Sequence, residues 1–552
     1  MCGYPERPFD MEHHLNKPWS VVDWMLLLLI WAVPVVSSLR AGELKIAIED
    51  EYGHPTPCRV LVRSSSQCFA PDDVAKLLIF PDTWFMSPGG SRFELPDGTY
   101  TLRIEKGLEY QRVLESIKVA GMTDKVICLQ RWINMQQRGY SCSENHVHMD
   151  SVNLAPMLAA EGLDYGSSLT WWRGPDTQRP IPAGSGQVRI LEYAGHRVPT
   201  SIFDAELEYD WGAAYIQNMP QTMPLKAEPG RPNLDYLRLA VESGATVHYQ
   251  GGWSREVLMD ALLGYVHVVN ICNNNFGLHR FQPRSRYSNL LGVEGFPIYP
   301  DTDIGMMQLN SDTYYRLLNC GLRVAAGAGT ACGVKKAPVG YNRSYVRVAP
   351  SASLKEFNHA WQHGRNFVTN GPILLLQTKQ GDLPGDSIRI AERGSKVEFK
   401  VELLSDQPLT SVQVIVNGNV AYSKEYANRK SASEVVTLDI EESSWVIARC
   451  TAFDELLSDS QLAEYENDGN PKNPLAKPSR LRFAHTSPIY FLRPGHPEVL
   501  VRSSLNEGIK MMDALEKFAT TAADDRYRSD FLSKLANARE ILEKRRNLTD
   551  SL

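Results

Sequence analysis

Residues 234–272 read LDYLRLAVESGATVHYQGGWSREVLMDALLGYVHVVNIC, and this stretch decides the fold. Two segments with apolar residues at helical spacing, LDYLRLAVESG and SREVLMDALLG, each end on a glycine, Gly244 and Gly264. Glycine just past the last turn is a common helix stop, because it adopts the left-handed backbone without strain. Each segment is followed by a short apolar run, ATVHYQ and then YVHVVNIC. Strands that alternate with helices imply parallel pairing, in a layered sheet or an α/β barrel. QVRILEY (187–193) adds an earlier strand, and the pattern extends over residues 125–375.

The flanks change character. Over 42–121, LKIAIED and CRVLVRS alternate apolar and polar residues around the turn Gly53-His54-Pro55, and FELPDGTYTLRIEKG turns at Pro96-Asp97-Gly98. This predicts a β-sandwich accessory domain. Over 376–493, SKVEFKVELLS, SVQVIVNGNVAYSK and SEVVTLDI alternate again, with Asn417-Gly418 as a hairpin turn. A second β-sandwich follows, interrupted by an exposed polar loop over 467–478. Residues 494–552 form a short helical C-terminal segment, with Ile509, Met512, Leu515 and Phe518 on one face and Phe531, Leu535, Ala538 and Leu542 on another. Such faces pack on the rest of a protein more often than on a partner. The expected fold is therefore multidomain, a central α/β region (barrel or layered sheet) between two β-sandwich modules.

At 552 residues the chain is too long for one core. Its 43% hydrophobic and 22% charged residues fit a folded chain, and a net charge of -6 gives no electrostatic basis for binding nucleic acid. Met25–Val36 reads MLLLLIWAVPVV, shorter than the roughly 20 residues of a spanning helix, with Lys17 before it and Ser37, Ser38 and Ala41 after. Residues 1–41 are thus expected to be a signal peptide, with an N-terminal membrane anchor as the alternative, and the protein to be exported, periplasmic or extracellular. Acids before the run (Glu6, Asp10, Glu12, Asp23) are unusual for a signal and suit a start at Met11. Nine cysteines without close pairs exclude a disulfide framework, although Cys58 and Cys68 are near enough in sequence to pair.

The chemistry concentrates in the central region. In His146-Val147-His148, alternation on an extended segment points both imidazoles to one side, as two ligands of one ion require. Alone, such a pair is more often two satisfied histidines. In QVRILEYAGH, Glu192 shares a face with Val188 and Ile190, so its carboxylate is expected inside, where it needs a partner or a metal; an exposed edge is the bland alternative. His196 follows that strand, and His248 sits at the C-terminal end of ATVHYQ, the end where α/β barrels gather catalytic side chains. The expected metal ligands are His146, His148, Glu192, His196 and His248, with Glu192, His196 and His248 also catalytic. Asn145, Asn270, Asn273 and His279 are candidates to support them. For Asn270 and Asn273 turn formation is as plausible. For His279, near Arg280, Arg284 and Arg286, a solvated basic loop competes with an anion contact. Glu161 and Asp164 either reach the metal or end a helix. No Gly-x-Ser-x-Gly elbow or phosphate-cradling glycine loop occurs, and no histidine adjoins Cys332.

In order along the chain, RGYSCSENHVH, AAEGLD, LTWW, ILEYAGH, ATVHYQGGW, VVNICNNNF, LLNCGLRVAAGAGTACGV, PVGYNRSYVRV and RNFVTNGPIL resemble the CehA/McbA-type metallohydrolases of the PHP superfamily. AHTSPIYF (484–491) and the β-modules are similar too. The resemblance implies a distorted α/β barrel with a zinc-type site at strand C-termini, manganese being the alternative metal. It also implies hydrolysis of a small-molecule ester, carbamate or related bond. The alternatives are a phosphoesterase, or a non-catalytic protein whose β-sandwiches contact a glycan or cell-surface partner. Two positions depart from the family: Glu144-Asn145 stands where Gly-Asp is frequent, and Gly329-Thr330-Ala331-Cys332 lacks the usual Asp and His. Both argue against a full multi-metal centre. The sequence leaves the oligomeric state open.

Overall fold

The computed structural model describes residues 41–549 except 80, 173–185, 229, 284–292, 294, 392–393 and 466–475. The apolar run at 25–36, Arg284, Arg286 and most of the 467–478 loop lie outside the described residues. No described helix is long and apolar enough to cross a membrane.

The N-terminal module is built from two sheets. Three strands, Gly90–Pro96, Ala41–Glu49 and Met122–Cys128, face a larger sheet centred on Cys58–Arg63 and Gly98–Glu105. Leu44, Ile46, Val60, Leu102 and Ile104 fill the space between them. Met122–Cys128 runs parallel to Ala41–Glu49, so this module extends past the expected boundary at 121. Cys58 is buried, Cys68 half-buried, and the two are not bonded; all eight described cysteines are free thiols.

The central sheet has the order Gly166–Trp172, His196–Tyr209, Gly212–Gln217, Thr246–Tyr249, Val268–Cys272, Ala325–Ala328, with Val188–Tyr193 paired to His196–Tyr209 outside this path. Gly212–Gln217 is antiparallel to both neighbours, and the other three pairs along the path are parallel. Gly244 and Gly264 both take left-handed backbones (φ 81° and 85°) at the helix ends predicted for them. The segment Asn145–His148 then spans the two edges of the sheet. On one side Asn145 N–H donates to Ala328 O (3.1 Å) and His148 N–H to Cys332 O (2.7 Å); on the other, Leu169 N–H donates to Val147 O (3.0 Å). An inserted segment bonded to both edges closes the sheet on itself.

A ten-stranded sheet joins the centre to the C-terminal β-region. Tyr140–Ser143, Arg343–Arg347 and Asn366–Thr369 continue through Leu481–Thr486 and Ser444–Phe453 to the 22-residue strand Ser395–Val416. The backbone therefore has no break at 375, and the second β-region shares its sheet with the centre while keeping an apolar core of its own around Phe399, Val412, Val414 and Phe491. Asn417 and Gly418 form its hairpin turn with positive φ. The C-terminal helices Arg502–Ala522 and Asp525–Leu548 are 21 and 24 residues long, longer than a short tail. They pack on the central region, where Trp211 meets Phe518 and Phe531 edge-on at 5.0 and 5.2 Å.

Candidate metal centre

The inserted segment carries His146 and His148. Its extended form follows from bonds on both sides, including Ala331 N–H to His146 O at 2.7 Å, so the two side chains share a face. Three features hold it in place. The Glu144 carboxylate accepts from the backbone N–H groups of Thr330 and Gly340. The Asn145 and Asn270 amides bond reciprocally at 2.7 and 2.9 Å, and Asn145 Nδ2 also donates to His248 Nδ1 at 2.9 Å. Gly329 passes so close that a Cβ there would lie 2.5 Å from Asn145 Oδ1 and 2.6 Å from His146 Cβ.

The third member is Glu206. Register places it directly opposite Tyr215, and Tyr215 opposite His248, so the three form one row across adjacent strands and present one face. The Tyr215 ring lies 4.0 Å from that of His146, which brings the row against the inserted segment. Two residues before Glu206, Asp204 accepts from Ser167 Oγ and Ser201 Oγ (both 2.6 Å) and from Asn218 N–H (2.8 Å), which fixes the strand locally.

The three donor groups converge. His146 Nε2 and His148 Nε2 are 2.8 Å apart, with Glu206 Oε1 3.3 Å from the first and Oε2 2.9 Å from the second. None is more than 3% exposed. Donors about 2.0–2.1 Å from a tetrahedral ion stand about 3.3–3.4 Å from each other, so the His146–Glu206 pair already has that spacing and a widening of about half an ångström in the other two pairs makes room for one. His146, His148 and Glu206 can hold a metal ion. Burial pulls His146 down to about 4, against the nearby Glu206, which keeps the imidazole neutral and able to donate a lone pair at neutral pH. Burial alone would raise Glu206, but the two imidazoles outweigh it and hold the carboxyl well below the usual range. Trp172 covers His148 edge-on at 4.8 Å.

The comparisons with known proteins return nothing. No family model, no curated protein and no solved structure matches this chain.

Of the five expected ligands, only His146 and His148 enter the group. Glu192 does not. It is exposed, 3.5 Å from Arg197, on a strand whose other same-face residues Val188 and Ile190 are 41% and 45% exposed. Alternation placed these three on one face correctly, but among the described residues the strand pairs only with His196–Tyr209, and that face is turned to solvent. His196 starts the neighbouring strand with its side chain exposed at a cavity it shares with Lys106 and Arg131, far in the fold from the triad's row. Burial on one side and those two cations lower its imidazole to about 4. His248 is buried and stands in the Glu206 row, yet it contacts Asn145 and not the donor group; its proton sits on Nε2, which has no acceptor among the described residues. Its place is to brace Asn145, one residue before His146.

The supporting candidates divide. Asn145 and Asn270 do position the site, as just described. Asn273 serves its turn, donating to Gln250 O (3.0 Å) and accepting from Asn275 N–H (3.1 Å). His279 is buried at 1% exposure and not on a solvated loop; it meets Arg103 at 2.7 Å and Arg482 at 3.2 Å. Glu161 pairs with Arg59, and Asp164 accepts from Cys142 N–H, so neither reaches the triad. Burial raises the Cys332 thiol well above its usual value, which removes it as a nucleophile. Glu206 is the ligand that sequence reading missed. Its signal was present in DAELEYDWGAAY, where Asp204, Glu206 and Glu208 alternate along one face of a strand and Ala205 and Leu207 along the other.

Proposed function

We propose that this protein is an exported metal-dependent hydrolase of the CehA/McbA type, acting on an ester, carbamate or related bond of a small molecule. One observation carries the proposal: two imidazoles and one carboxylate, all buried, converge from a two-residue motif and a distant strand. Three protein ligands are the number found in catalytic zinc sites, which leave a fourth position for water or substrate, whereas structural sites use four. When bound, a zinc-type ion supplies Lewis acidity, which lowers the pKa of water from 15.7 to about 7 and polarises the bond to be cleaved.

The chain's own residues do the rest. Glu206 contributes the only negative charge of the group, so the occupied site keeps a net positive charge suited to an oxyanion. Asn145, held by Asn270 and His248, sets the position of the His146 backbone. Tyr215 and Trp172 pack against the two imidazoles and limit water around them. Cleaved export is part of the same proposal, with the mature chain starting between about residues 39 and 42.

Metal analysis of the purified protein, followed by chromogenic esters, carbamates and phosphoesters, tests it. About one equivalent of zinc or manganese is expected, with turnover that His148→Ala abolishes. A folded protein that takes up no divalent metal and cleaves none of these would reduce the triad to a buried ion pair and the barrel to a binding scaffold. N-terminal sequencing that finds residues 1–30 attached in a cytosolic fraction would remove the export.

A further inference from the structure

The helix Leu354–Gln362 carries two histidines that the triad does not use. Its inner face is fixed, with Leu354, Phe357, Ala360 and Trp361 buried and Trp361 Nε1 donating to Ala326 O at 3.0 Å. A capping box between Ser353 and Glu356 holds its first turn. On the outer face stand His359 and His363, the second at the residue that ends the helix; both are exposed. Side chains four positions apart on a helix are neighbours. Here the two rings lie 4.2 Å apart between centroids, tilted by 36°.

The hydrogen bonding of the pair leaves lone pairs toward solvent. His363 Nδ1 is 2.7 Å from His359 O. A carbonyl only accepts, so Nδ1 carries the ring proton and Nε2 keeps its lone pair. A ring N–H held by a backbone carbonyl is the arrangement that orients metal-bound histidines. Burial and the nearby charges of His363 and Arg365 hold the His359 imidazole below its ordinary value, so this ring too is neutral and able to coordinate near pH 7.5.

The spacing also selects a geometry. When a ring nitrogen is about 2.0–2.1 Å from an ion, the ring centroid stands about 3.2 Å from it; two such rings have centroids about 4.5 Å apart at 90° and about 5.2 Å apart at the tetrahedral angle. The observed 4.2 Å lies on the side of 90°. That angle separates neighbouring ligands in a square-planar or tetragonal shell, the shell of copper(II) and nickel(II) and not of zinc. An ion there sits at the C-terminal end of a helix, where the last carbonyl groups favour a cation. Arg365 is the charge that opposes it, and its side chain is exposed to solvent.

We propose that His359 and His363 form a second, exposed metal site that takes copper(II) or nickel(II) in a tetragonal shell completed by water. The site stands apart from the triad and does not depend on the hydrolase reading. With two protein ligands and water in the other positions, its ion stays exchangeable.

The experiment counts copper(II) bound by the full chain at pH 7.5, by equilibrium dialysis, in wild type, His359→Ala, His363→Ala and His148→Ala. His359→Ala and His363→Ala should each bind one equivalent less than wild type, because either one breaks the chelate. His148→Ala, which disables the triad, should keep that equivalent and give an axial electron paramagnetic resonance signal with two nitrogen ligands. Equal copper content in wild type and in both exposed-site variants would overturn the proposal. So would an equivalent that His148→Ala removes and His363→Ala retains, since the triad alone would then be the copper site. Both substituted side chains are exposed, and two separate variants keep the test intact if one misfolds.

Discussion

Replacing Glu206 with Gln, beside a parallel replacement of Glu192, separates the structural assignment of the metal ligand from the one that alternation alone suggests. Glutamine keeps the volume of Glu206 and removes its charge, and with it the only anionic donor among the three groups. Binding of structural zinc is worth about 10–16 kcal/mol near neutral pH. Shared over three or four ligands, that is about 3–5 kcal/mol each, or a factor of about 10² to 10⁴ in Kd at 1.4 kcal/mol per tenfold. Glu192, by contrast, has a side chain 62% exposed and one ion pair at 3.5 Å, an interaction worth about 0–1 kcal/mol. Glu192→Gln should therefore leave Kd within about twofold. Competition against a chromophoric chelator at pH 7.5 measures both, with circular dichroism to establish that each variant is folded. The reasoning is refuted if folded Glu206→Gln binds zinc within threefold of wild type, or if Glu192→Gln is the variant that loses it.

Other outcomes follow from the same structure. Gly329→Ala introduces a Cβ 2.5 Å from Asn145 Oδ1 and 2.6 Å from His146 Cβ; overpacking of this kind costs about 1–3 kcal/mol, so both Tm and metal affinity should fall, and unchanged values would mean that the loop does not press on the site. Removing metal with a chelator should lower Tm by the linkage term, about 2.7 kcal/mol of stability at a metal concentration 100 times Kd, and calorimetry with no change on EDTA treatment would argue against occupancy. For His485, burial and then Arg449 pull the imidazole to about 3, from an ordinary 6.5. Its folded-state pKa is depressed, so the stability it confers is present above pH 6.5 and drains as pH falls toward 3. At pH 5.0 the loss is about 2 kcal/mol, 1.5 units at 1.36 kcal/mol each. Denaturant unfolding of wild type and His485→Gln at pH 7.5 and 5.0 should show the gap between them shift by about that much in the variant's favour, and a constant gap would disprove it.

Much of the architecture was legible because it rests on local physics. Gly244 and Gly264 stop helices since their backbones must go left-handed, and both do. Met512, Leu515, Phe531 and Leu542 are buried in the C-terminal helices, as a 3.6-residue period requires. His146 and His148 face the same way because any extended segment imposes it. What the residues could not convey was which face of a strand is the interior. For Val188–Tyr193 the apolar residues at 188 and 190 point outward, on a strand that among the described residues pairs only with His196–Tyr209. Glu192 went with them. The continuity of the ten-stranded sheet across residue 375 was hidden for a related reason: pairing between Asn366–Thr369 and Leu481–Thr486 joins residues more than a hundred positions apart, and no local period records it.

Glu144, Asn145 and Ala331, beside the two histidines, each have a definite place in the fold. Glu144 is committed to backbone N–H groups, and Asn145 to Asn270 and His248. Glu144 is pushed up to about 8 by burial even while accepting two N–H groups, and it ties the segment to Thr330 and Gly340. Asn145 has its oxygen occupied by Asn270 and its NH2 shared between Asn270 and His248, so neither atom is left to coordinate. Ala331 adjoins the site, since its N–H bonds to His146 O, and it holds φ at 59°, a conformation that Asp or Asn adopts more readily than alanine. Its methyl group offers no donor to an ion. His146, His148 and Glu206 form the group that has the donors for one ion.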